Sequence, residues 1–106
     1  MQIDELTKFT LLFDCYGKLL SEKQYEVMDK FLNLDIGESE MAELENGSRQ
    51  AIHDAIKKAK KQLLEFEEKC GFVKFKNDLA NELTSIENNI KDCSAKNKIK
   101  EIITKL

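Results

Sequence analysis

Leu6, Phe9, Leu12, Phe13, Tyr16, Leu19 and Leu20 recur at three- and four-residue steps, the spacing that lines apolar side chains along one stripe of a helix. The stripe predicts a first helix over about 3–20. Ser21-Glu22-Lys23-Gln24 has the form of a capping box, in which Ser21 accepts from the amide of residue 24 while Gln24 reaches back. A second helix follows with Tyr25, Met28, Phe31 and Leu32 inward, fading at Asn33. Ile36-Gly37 opens a short third helix, roughly 38–45, with Met41, Ala42 and Leu44 as its apolar residues.

Asn46-Gly47 is a turn dipeptide, since both residues tolerate positive φ, and Ser48 is a good N-cap for what comes next. From there Ile52, Ala55, Ile56, Ala59, Leu63, Phe66 and Cys70 hold one face for about five turns, with Gly71 where a C-cap should fall. Phe72, Phe75, Leu79, Leu83, Ile86 and Ile90 form another long stripe. Ser94 is the expected cap of a last helix carrying Ile99, Ile102, Ile103 and Leu106. The 79, 83, 86, 90 steps fit either an intramolecular core or an a/d seam against a second copy, so a homodimer is one expected state. Residues 1–70 are read as a helical domain and 71–106 as a helical extension, part of the same domain or a dimerisation arm.

Composition supports the helical reading, because a chain with no Pro and only four Gly has few forced breaks. The net charge of −3 hides a segregation that matters more. Residues 1–47 carry four Lys against eleven acids. Residues 48–61 carry Arg49, Lys57, Lys58, Lys60 and Lys61 against Asp54 alone, and the remainder balances. A basic segment inside an acidic chain steers anionic partners locally. Three cysteines, Cys15, Cys70 and Cys93, far apart and without a C-x-x-C pair, argue against a disulfide framework and against zinc. Cys15 and Cys70 fall in apolar stripes and are expected in the core. With no apolar run long enough to span a membrane and no secretory signal, the expected location is the cytoplasm.

The segment 38–62 has the spacing of a helix-turn-helix. Ala42 supplies the small residue where the first helix crosses the second, and Ile52, ten residues later, faces that crossing. With Ile52 inward, the 3.6-residue period sends Gln50, His53, Asp54, Lys57 and Lys61 to the solvent side, with Arg49 on the flank. In such an arrangement Arg49, Gln50 and His53 would meet base edges. Ser48 and the free amides beside it could take a phosphate, and Lys57 and Lys61 could reach the backbone. The plainer alternative is an amphipathic core helix whose lysines are simply solvated.

Leu11-Leu12-Phe13-Asp14, Leu20-Ser21-Glu22-Lys23-Gln24 and Ser48-Arg49-Gln50-Ala51-Ile52 through Asp54, Ile56 and Lys57 resemble the YlxM family, small bacterial proteins similar to region 4 of the primary sigma factors. The resemblance covers about residues 6–70. It implies an all-α, sigma-70 region 4-like helix-turn-helix bundle with a long helical C-terminal extension, acting as a regulatory nucleic-acid-binding protein on DNA or on RNA. Gene order in the family implies a part in the signal recognition particle pathway, with components of that particle as partners. The chain departs from the family pattern at Glu45, where an aromatic or aliphatic residue is expected, and at Gly47, where Val or a similar residue is expected. Both normally pin the turn, so a looser turn is expected here, and the acids Glu38, Glu40, Glu43 and Glu45 would oppose phosphates. A protein-interaction adaptor with a degenerate motif is the alternative function.

Catalysis is not expected. The single His53 stands beside Asp54 at helical positions that point about 100° apart. No glycine-rich loop cradles a nucleotide, and no cofactor or metal is expected.

Overall fold

The computed structural model describes residues 4–106, so the expected helix start at residue 3 lies outside the described residues. The fold is all-α: α1 (Glu5–Tyr16), α2 (Glu22–Leu32), α3 (Glu38–Leu44), α4 (Arg49–Cys70), α5 (Phe72–Asn89) and α6 (Cys93–Thr104). The chain divides into two compact units, one ending at Cys70 and one running from Gly71 to Leu106.

In the first unit, α1, α2 and α3 all pack on α4, and α1 also packs on α2. Asp4 starts α1 by accepting from the Thr7 amide at 2.7 Å. Phe9, Leu12, Phe13 and Tyr16 form its buried stripe, whereas Leu6 at its outer end is exposed. The α-helix stops at Tyr16, short of the expected residue 20, and Gly17–Leu19 continue as a 3-10 turn. The tightening coincides with a close approach, because a Cβ at Gly17 would sit 3.0 Å from the Phe13 ring. Leu19 on this turn points outward, and Leu20 returns to the core.

Ser21 and Gln24 make both bonds of the predicted capping box at 3.2 Å each. From α2, Val27 and Met28 are fully buried, while Tyr25 covers Phe13 from the rim with ring centroids 5.0 Å apart. Met41 and Ala42 complete the core from α3, and Ile52, Ile56, Ala59 and Leu63 from α4. The expected α4 stripe fades beyond Leu63: Phe66 is half-buried against Tyr16, with centroids 6.0 Å apart, and Cys70 is exposed. The core role expected for Cys70 is therefore corrected, and Cys15 is only half-buried. Leu44, the third apolar residue expected of α3, is exposed as well.

In the second unit α5 and α6 pack on each other, and neither contributes a buried residue. Leu79, Leu83, Ile90, Ile99 and Ile103 are half-buried, while Phe72, Phe75, Ile86 and Ile102 face solvent. Gly71 takes the left-handed conformation, φ 62°, that the α4 C-terminus requires. Asp92, and not Ser94, caps α6: its carboxylate accepts from the Ser94 amide at 3.1 Å. Glu87 and Lys100 pair across the two helices at 3.5 Å.

Candidate nucleic-acid interface

The helix-turn-helix consists of α3, a turn at 45–48, and α4. Its two crossing residues sit as the spacing predicts, with Ala42 and Ile52 both buried where α3 packs on α4. The turn is a Schellman closure. The Gly47 amide donates to the Ala42 carbonyl at 3.0 Å and the Asn46 amide to Glu43 at 3.4 Å. Asn46 takes the left-handed conformation at φ 52°, and Gly47 does not share it. Ser48 then caps α4 by accepting from the Ala51 amide at 3.0 Å.

The two departures from the family pattern resolve differently from expectation. Glu45 is not a missing apolar pin but an ionic one. Its carboxylate accepts from Lys23 Nζ at 2.9 Å and Lys30 Nζ at 3.0 Å, and so ties the turn to α2. Hydrogen bonds from Lys23 and Lys30 hold the Glu45 carboxyl below the usual range, and the Glu45 bond in turn raises Lys23. At Gly47 an added Cβ would meet nothing within 4 Å, so the position is open and not pressed against the core.

Arg49, Gln50, His53, Lys57 and Lys61 all lie exposed on α4, as does its cap Ser48. Steps of four residues from Arg49 through His53 and Lys57 to Lys61 wind slowly round one side, spanning about 18 Å of helix axis. Arg49, Gln50 and His53 share one open groove with Glu38. Glu38, at the start of α3, receives His53 Nδ1 at 3.1 Å and lies 4.0 Å from Arg49 Nε. Gln50 Nε2 donates to Asp54 Oδ1 at 3.0 Å, one helical turn on. The amide keeps its second N–H and its carbonyl for an external partner.

Sequence reasoning missed three of these features: the Glu38–His53 contact, the Lys23–Glu45–Lys30 bridge, and the position of Lys60. Its ammonium lies 5.0 Å from the Phe9 ring centroid and 5.4 Å from that of Phe31. Lys60 thus belongs to the core rim, by cation–π attraction, and not to the outward basic stripe. These pairs are at least fifteen residues apart in sequence and carry no local signal. Only the excess of charged residues at 38–45 and 57–61 hints at them. No group of three or more His, Cys, Asp or Glu able to hold a metal occurs among the described residues. No helix there is long and apolar enough to cross a membrane.

Comparison with known proteins agrees with this geometry. Residues 3–105 match the family described as "Putative helix-turn-helix protein, YlxM / p13 like". A UPF0122 protein of Thermoanaerobacter sp. is 36% identical over 100 residues, covering 94% of this chain and 86% of the relative. A UPF0122 protein of Clostridium acetobutylicum is 37% identical over 97 residues, covering 85% of this chain and 84% of that one. One from Clostridium perfringens reaches 47% over 62 residues, or 58% of this chain and 55% of the relative. With the motif, its two crossing residues and its capped second helix in place, the chain belongs to the YlxM/p13-like (UPF0122) family of helix-turn-helix proteins.

Proposed function

We propose that the protein is a regulatory nucleic-acid-binding protein that presents the exposed side of α4 to duplex DNA. The observation that carries this reading is the stripe itself. Arg49, His53, Lys57 and Lys61 lie exposed on a helix whose opposite face, through Ile52, Ile56, Ala59 and Leu63, is locked in the core. A rigidly held helix with a cationic outer side is what major-groove docking needs. Arg49, Gln50 and His53 at the N-terminal end face base edges, and Lys57 and Lys61 neutralise phosphates. The Ser48 hydroxyl, whose oxygen already caps α4, keeps its hydrogen for a phosphate oxygen.

Arg49→Ala and Lys61→Ala, measured on one duplex series, test the assignment of roles. Loss of Arg49 should cost about 1–3 kcal/mol on preferred sequences and blur preference. Loss of Lys61 should weaken all sequences alike. Equal, small effects from both would leave a merely solvated helix face. Structured RNA, including the RNA of the signal recognition particle, is the comparison ligand. Preference for it over every duplex would move the protein into that targeting pathway.

One observation favours a second reading, a protein-interaction adaptor. Glu40 and Glu43 lie exposed on α3, the helix that in a DNA-binding pose crosses the phosphate backbone, where phosphates would be repelled. For an adaptor, neither α4 substitution would change nucleic-acid binding, because there would be little to lose.

A further inference from the structure

Glu38 stands out on the proposed interface because it contacts two of the three proposed base readers from a different helix. Its Oε1 and Oε2 lie 3.1 and 3.2 Å from His53 Nδ1, and Oε2 lies 4.0 Å from Arg49 Nε. The carboxylate is 24% exposed, against 72% for Arg49 and 52% for His53. We propose that Glu38 is a specificity-determining residue of the nucleic-acid interface. It holds Arg49 and His53 toward base edges and weakens binding to any duplex that offers them phosphate alone. This inference rests on the nucleic-acid reading above.

The chemistry follows from which atoms the carboxylate occupies. Accepting at Nδ1 makes that nitrogen the protonated one, and leaves Nε2 as the outward atom of the ring. With Nδ1 engaged by the carboxylate, Nε2 is the ring atom left to meet a base edge. At Arg49, the carboxylate stands on the Nε edge and leaves the terminal nitrogens for the O6 and N7 acceptors of guanine. Base edges are uncharged and share the groove with Glu38 without ionic repulsion. A phosphate is an anion, and placing one on Arg49 sets two negative charges against the same cation. The same carboxylate therefore supports one mode of contact and opposes the other. Lys57 and Lys61, further along α4, lie outside the groove that Glu38 lines and stay free to serve the backbone.

Glu38→Gln tests the proposal while keeping the shape, and exposed ion pairs of this kind add little to stability, so the variant folds. Wild type and variant are titrated with a random-sequence duplex and with a duplex selected by the wild type from a pool randomised at its central positions. The expected result is a several-fold gain for the random duplex with a smaller gain or a loss for the selected one, so that the ratio between them falls. In an Arg49→Ala, His53→Ala background the substitution should change neither affinity. Because His53 is the only histidine, its imidazole nitrogen resonances report the contact without DNA. They should shift in Glu38→Gln. A wild type that binds and a variant whose two affinities are unchanged, or move by the same factor, overturn the assignment of Glu38 alone. A wild type that binds neither duplex overturns the nucleic-acid reading, and this assignment with it.

Discussion

Glu45 shows how one side chain can replace a hydrophobic contact with an ionic one. Two lysines of α2 converge on a half-buried carboxylate at the turn that sets the angle between α3 and α4. Glu45→Ala is expected to lower the melting temperature, and Glu45→Leu, the kind of side chain the resemblance leads one to expect there, to recover most of it. The sign of the pH dependence is fixed by the lowered carboxyl of Glu45. Its contribution is complete above the ordinary glutamate range and is lost as pH falls from that range through the lower folded value. Thermal unfolding from neutral pH down through that window should therefore penalise the wild type more than Glu45→Leu. A parallel fall in both would remove Glu45 as a pin. None of this was legible in the sequence, where position 45 registers only as a departure from an apolar pattern. Lys60 fails for the same reason, since its rings come from α1 and α2. Such pairings exist only once the helices have packed.

Helices were read well where the signal is periodic and poorly where it is terminal. The buried stripes of α1 and α4 and the capping box of α2 follow from spacing and local hydrogen bonding, both of which the sequence contains. The overshoots have one cause: Leu6, Leu19, Leu44 and Cys70 continue an apolar pattern to helix ends with no neighbour to cover them. At α6 two good capping residues stand two apart, and Asp92 wins because its carboxylate reaches the Ser94 amide itself. Asp92→Ala should cost the helix about 0.5–2 kcal/mol, with Ser94→Ala near neutral. Circular dichroism of the two variants under denaturant decides this, and the reverse ranking would return the cap to Ser94. Within the candidate site, the Ala42–Ile52 crossing followed from the helix-turn-helix spacing and the exposed stripe from helical period, whereas the Glu38 contact, fifteen residues away in sequence, did not follow from either.

For the protein taken as a unit of function, charge and burial are unevenly shared. The α5–α6 unit buries no residue fully and is smaller than the roughly 40 residues below which a domain usually needs disulfides, metals or oligomerisation. We therefore expect self-association through this unit. Sedimentation at micromolar concentration should give a dimer that Leu83→Lys disrupts, and a clean monomer would refute it. The acids of residues 1–47 disfavour nucleic acid on that part of the chain, and the proposed binding is assigned to the short basic stripe of α4. A stripe that neutralises phosphates releases counterions, and the logarithm of affinity then falls linearly with the logarithm of salt concentration. The decisive experiment is that salt titration on duplex DNA for the wild type, Lys57→Ala and Lys61→Ala. The wild type should show a clear slope that each substitution flattens by about one unit. A slope that neither lysine alters, or no salt-sensitive binding at all, would contradict the nucleic-acid reading.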